Sequence, residues 1–170
     1  MKKVFYLLLM VLLFSSCRKT EDINNNILRL YGDALEDIGY GITKAEDGFV
    51  ITGQLTEVAK DGDLINVGNS VKKLGIIRTN VNGDMIWQKS FGDQEVNVGS
   101  KAVVLDDGSV VSVGYATDKT THLKDVYIVK TDNQGNQITQ KYLKIPVINY
   151  NQYGIDILKN FHRFSCSGCY

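Results

Sequence analysis

A chain of 170 residues leaves room for one ordinary domain with a real core. Nineteen Lys and Arg balance nineteen Asp and Glu, which excludes both a broad basic field for nucleic acid and a broad acidic field for cations. Sixteen glycines against one proline, with apolar residues drawn largely from Val, Ile, Leu and Tyr, favour strands joined by tight turns and hence an all-β class.

The chain opens MKKVFYLLLMVLLFSSC: two lysines, an apolar run from Val4 to Phe14, small residues and a cysteine. This order predicts a signal peptide over 1–16, and the apolar run is about half of what a membrane-spanning helix needs. Phe14-Ser15-Ser16-Cys17 resembles the lipobox of bacterial lipoproteins, although its first position departs from the commoner Leu. The resemblance implies cleavage before Cys17 and lipidation of that residue, with several acyl chains adding about 0.8 kcal/mol of membrane affinity per buried methylene. The alternative is an ordinary secretory signal cut elsewhere. Residues 17–27 then read as a polar, flexible tether, and its Glu21-Asp22 pair resembles the export signal of surface lipoproteins in some Gram-negative lineages.

From Tyr31 the sequence repeats. Tyr31-Gly32-Asp33 returns as Phe91-Gly92-Asp93, Gly39 as Gly99 and Asp47-Gly48 as Asp107-Gly108, each displaced by sixty positions. RTNVNGDMIWQK from Arg78 matches KTDNQGNQITQK from Lys130, displaced by fifty-two, because a long polar segment after Gly53 is short after Gly114. Each copy resolves into four extended runs: YGITKA, FVITGQ, LGIIRT and MIWQKSF, then SKAVVL, SVVSVGY, VYIVKT and QITQKYL. Asp-Gly separates the first two runs of each copy, and Asn82-Gly83 or Gln134-Gly135 the last two, which are hairpin signals. The middle runs are almost continuously apolar, so both faces of each small sheet need cover.

Sheets covered on both faces by further sheets are what a β-propeller provides. The order of Asp-Gly, apolar run, Gly, apolar run, Lys-Thr-Asp, Gly, Trp and Phe-Gly resembles the β-propeller repeats of bacterial surface and secreted lipoproteins, over Tyr31 to Lys159. The resemblance implies four-stranded blades at about 31–90 and 91–145 and a partial third at 146–159, in an incomplete ring. It carries structural glycines and Trp87 as a packing anchor, and no catalytic residue.

The third copy begins with YGIDILK, Gly154 standing where Gly39 and Gly99 stand, and then loses the pattern: His162-Arg163 replaces Asp-Gly. Residues 160–170 are aberrant in composition, and a frame shifted within the Asn160 codon can encode Thr-Ser-Thr-Gly-Phe-Leu-Val-Val-Gly-Val, which restores the glycine in register. We therefore read 160–170 as an out-of-frame tail of a truncated propeller. Its Cys166-Ser167-Gly168-Cys169, with His162 upstream, lacks the second ligand pair of a zinc ribbon and the βαβ setting of a redox motif.

Other candidate sites are sparse. Asp61, Asp63 and Asn66 have the oxygen ligands of a calcium loop without its glycine and distal Glu, so a solvated loop is the plainer reading. Asn80, Asn82, Asp84, Asp132 and Asn133 read as turn residues, and Trp87, Tyr40 and Tyr115 as core aromatics rather than a sugar platform. His122 has no nucleophile beside it in sequence, and no phosphate loop, triad, metal site or cofactor motif is seen. The expectation is a non-enzymatic lipoprotein of the outer membrane or cell surface, presenting propeller repeats to a glycan or protein ligand, with self-association through exposed blade edges. Rival readings are a fragment of a glycosidase-like or quinoprotein-like propeller enzyme, and a truncated product without a function of its own.

Overall fold

The computed structural model describes residues 29–32, 35–58, 70–144 and 150–159, and the backbone path of 164–167. Cys17, the signal segment and the tether lie outside the described residues, as do Asp61, Asp63, Asn66, His162 and Cys169. All regular structure in the described residues is β. Eight strands form one open, mixed sheet: β1 (Ile38–Ala45), β2 (Gly48–Val58), β3 (Ser70–Asn80), β4 (Met85–Phe91), β5 (Val96–Val104), β6 (Val110–Thr117), β7 (Lys124–Thr131) and β8 (Gln137–Leu143). Two further strands, β9 (Asp156–Lys159) and β10 (Phe164–Ser167), pair antiparallel with each other.

The large sheet consists of two antiparallel meanders, β1 to β4 and β5 to β8, joined by one parallel pair, Lys72 with Val96. These are the two copies read in the sequence. Their glycine turns behave as expected: Gly83, Gly108 and Gly135 have φ of 77°, 78° and 82°, the left-handed region that glycine enters without steric cost. One boundary differs. β2 runs on to Val58 and β3 begins at Ser70, so both ends of the segment expected to be loop continue the ladder. Glu57 pairs with Val71 in register, and the Lys73 ammonium lies 2.9 Å from the Glu57 carboxylate across the strands.

The meanders share irregularities as well as strands. The β1/β2 register slips between Gly39 and Gly41, and the β5/β6 register between Gly99 and Lys101, sixty positions on. The β3/β4 register slips between Arg78 and Thr79, and β7/β8 between Lys130 and Thr131, fifty-two positions on. Such bulges bend a strand and increase its twist, so both meanders curve in the same way.

The curved sheets stack. Val50, Leu74 and Ile76 of the first meander share a buried cluster with Ala102, Val110, Tyr127 and Val129 of the second, and half-buried Trp87 packs against it. Polar contacts cross the same seam: Thr52 Oγ1 lies 2.9 Å from Ser112 Oγ, and the Thr43 hydroxyl donates to the Ala102 carbonyl at 2.6 Å. The other face of the second meander carries Val103, Val111, Val113 and Val126, covered by Ile157 of β9. There the Gly154 amide donates to the Gly114 carbonyl at 2.9 Å and the Gln152 amide to the Lys124 carbonyl at 2.7 Å. The N-terminal segment is fastened to the β3/β4 turn, with the Tyr31 hydroxyl donating to the Gly83 carbonyl at 2.6 Å and Arg29 paired with Asp84 at 2.9 Å.

Candidate functional site

Where the two meanders meet, their first hairpin turns stand apart and leave a groove of about 900 Å³. Asp47 and Asp107 come from equivalent Asp-Gly turns, and Arg78, Asn133 and Lys159 complete the walls. Arg78 is only 7% exposed; one terminal nitrogen donates to the Asp47 carboxylate, while the other, Nη1, is buried with no hydrogen-bond partner. Lys159 pairs with Asp106 at the rim. The Asp107 carboxyl is held below the usual carboxylate range because it accepts from the Ser109 hydroxyl and backbone amide. A groove of this kind, with paired charges of both signs, offers hydrogen bonds and no strong field.

A second, smaller pocket of about 130 Å³ lies on the outer face of the first meander, over Gly39, Gly53 and Gly75, with Tyr31, Ile51 and Ile77 around it. The three glycines are cross-strand neighbours, so their row leaves a channel in the sheet surface.

Elsewhere the polar clusters hold the fold together. Lys124 Nζ lies 4.5 Å from the Tyr115 ring centroid and 4.9 Å from that of Tyr153, and the two rings meet edge to face at 5.2 Å. That contact fastens the third copy to the second. Tyr127 stacks on Tyr142 with ring centroids 4.7 Å apart, and the Tyr142 hydroxyl donates to Asp93. Burial, with Asp93 adding to it, pushes the Tyr142 phenol up to about 12, while the hydrogen bond from Tyr142 lowers the Asp93 carboxyl.

The turn residues do what their spacing predicts. Asn80 Oδ1 accepts from the amides of Asn82 and Asp84, both at 2.9 Å, and Asp132 Oδ1 accepts from those of Gln134 and Asn136 at 2.9 and 2.8 Å. Trp87 is half-buried and its Nε1 donates to the Asn133 carbonyl at 3.0 Å, which ties β4 to the second meander. Tyr115 is also half-buried. Tyr40 departs from the core assignment: it is 53% exposed, because it is the extra residue of the β1 bulge and has no partner across the ladder. His122, at φ 55°, is exposed, with Nδ1 2.7 Å from a Glu95 carboxylate oxygen. Cys166 falls within β10. Among the described residues no three His, Cys, Asp or Glu side chains come together as a metal-ligand set.

The groove was not visible in the sequence, since its walls come from two turns sixty residues apart. The repeated Asp-Gly pair was the one signal for it. Neither a protein-family model nor a curated protein matches the chain.

Proposed function

We propose that this chain is a lipid-anchored protein of the outer membrane or cell surface of a Gram-negative bacterium, and that it presents β-propeller repeats as a binding or scaffolding module. The observation that carries the propeller reading is the repeated seam. The third copy meets the second through Gly154, beside Val113, in the way that the second meets the first through Gly99, beside Thr52. A stack that adds each unit by the same contact is the construction principle of a propeller. The anchor rests on Val4–Phe14 and on Cys17 at the end of the lipobox-like segment. The groove between the Asp-Gly turns supplies the binding face, and its paired charges suit a neutral, hydroxyl-rich ligand such as a glycan better than an ion.

Metabolic labelling with a radioactive fatty acid, followed by membrane fractionation, tests the anchor. Label on the wild-type protein should vanish in Cys17→Ser, and that variant should leave the membrane fraction. Label retained on Cys17→Ser would refute lipidation at this residue. Glycan-array binding that is lost in Lys159→Ala would support the groove as the binding face, and binding unaffected by that change would exclude it.

A further inference from the structure

The repeat supplies its own control for surface chemistry. A Cβ at Gly83 would lie 3.1 Å from Arg29 Cγ, and one at Gly135 would lie 3.0 Å from Lys89 Cγ. Arg29 therefore sits against the β3/β4 turn as Lys89, sixty positions on, sits against the β7/β8 turn. The two turns close alike, Asn80 accepting from Asn82 and Asp84 as Asp132 accepts from Gln134 and Asn136. Yet Leu30, Val81 and Met85 of the first corner stand where the second has Ser90, Asn133 and Gln137. The same backbone forms with polar residues at these three places, so the turn itself does not call for apolar ones.

Nor does packing call for them. Leu30 is 89% exposed, Val81 66% and Met85 55%. Leu30 and Met85 line one crevice of about 360 Å³ with Gly83 and Asp84, and Val81 stands in the turn two residues before Gly83. Exposed apolar residues scattered singly need no explanation, whereas three gathered at one corner mark a contact surface. Ile86 and Ile138, exposed in both copies, do not distinguish the corners.

What meets this surface follows from its place. The chain enters the fold here, where Arg29 and the Tyr31 hydroxyl hold the N-terminal segment on the turn. Cys17, the residue read as lipidated, precedes Arg29 by twelve positions, and a flexible coil of that length spans about 20 Å on average. Acyl chains on Cys17 would hold this corner beside a bilayer. Arg29 and Asp84 pair with each other, so the corner offers lipid an apolar surface rather than a basic one.

We propose that Leu30, Val81 and Met85 rest in the interfacial layer of the phospholipid bilayer that carries the anchor, and so fix the orientation of the sheet on the membrane. The proposal rests on the lipid-anchor reading, not on the propeller reading. Apolar side chains that enter the boundary between headgroups and acyl chains hold a surface to lipid in proportion to the area they bury. Three such side chains orient a chain that is already tethered, because the tether makes their contact intramolecular. Gly48 pairs with Asn80, so the Asp-Gly turns lie at the same end of the sheet and the groove between them opens beside the bilayer.

The full-length acylated chain, reconstituted in vesicles of phosphatidylethanolamine and phosphatidylglycerol, provides the test. With Cys166 and Cys169 replaced by Ser, a fluorophore is attached at Val81→Cys or, beyond the Thr117–Lys124 pair at the opposite end of the sheet, at Thr120→Cys. Nitroxide-bearing lipid should quench the label at 81 several-fold more than the label at 120. Leu30→Ser with Met85→Gln, residues that the second corner already accommodates, should bring quenching at 81 down to the level at 120 with the urea midpoint unchanged. Quenching that survives those changes would overturn the role of these side chains. Equal quenching at 81 and 120 in a chain that stays with the vesicles would overturn the contact and leave the anchor standing. Energy transfer between copies labelled at 81, shielded from lipid and aqueous quenchers alike, would overturn it in favour of a second copy on this surface. A chain that takes no fatty-acid label at Cys17 and stays off the vesicles would remove both readings.

Discussion

Gly53 and Gly114 stand at the same point of their meanders, opposite the bulge of the neighbouring strand. A Cβ at Gly53 would lie 2.0 Å from the Ile38 carbonyl oxygen, and at Gly114 1.8 Å from that of Val98. Both obstacles are backbone, which cannot turn aside as a flexible side chain would. Gly114→Ala should therefore cost about 2–3 kcal/mol, the scale of an overpacked core, seen as a lower urea midpoint at unchanged slope. Gly39→Ala should change stability by less than about 1 kcal/mol, since the added methyl makes only ordinary contact. The sequence marks all of these glycines alike. Separating those that admit a methyl from those that do not requires knowing which carbonyl the bulge presses against them.

At the scale of turns and strands, acid sensitivity is built into the hairpins. Asp118 accepts from the amides of Thr120 and Thr121 and pairs with Lys144; the Thr121 amide and the Lys144 ammonium hold its carboxyl well below the usual range. Asp132 is lowered by the Asn136 side chain and the turn amides. Carboxylates whose folded pKa lies under the unfolded value of about 3.9 contribute stability at neutral pH, and that contribution is lost as pH falls through the folded values. Thermal stability should therefore hold from pH 7 to about 4 and decline below it. Asp132→Asn should lower stability at pH 7 and make the acid decline shallower, because Asn keeps the Oδ1 acceptor that Asn80 supplies to the equivalent turn but not the charge that accepts from the Asn136 side chain. Calorimetry across pH would check both, and a steeper decline in the variant would refute the assignment. The turns and all eight strands were legible from Asp-Gly, Asn-Gly and Gln-Gly spacing with apolar runs between. The extension of β2 and β3 was not, because Glu57, Lys72 and Lys73 look like loop until they are paired across the ladder. The exposed position of Tyr40 was hidden for a similar reason: a bulge is a property of two strands, and neither one shows it alone.

Over the whole molecule, cover is uneven. Among the described residues the second meander is packed on both faces, by the first meander and by the segment that carries Ile157, while the outer face of the first is covered at Leu55 and Ile77 and open at Ile42. Backbone amides of β6 and β7 should therefore exchange hydrogen more slowly than those of β1 and β2 in a dilute sample where chains are separate. Hydrogen exchange read by mass spectrometry would show this, and equal protection would mean that the two units open together. The need for cover on both faces was readable from the apolar middle runs, but the seams were not: which apolar face meets which neighbour depends on the alternation of Val110 and Val111 about the sheet plane. Among the described residues strand pairing between the meanders is confined to Lys72 with Val96, and this has one further consequence. Strand pairing fixes geometry within a unit, but the tilt from one unit to the next is left to the volume of the side chains wedged between them. Substitutions at positions such as Thr52 or Val113 can therefore alter angular pitch without breaking a ladder hydrogen bond. The curvature from one meander to the next is open to gradual change by point mutation.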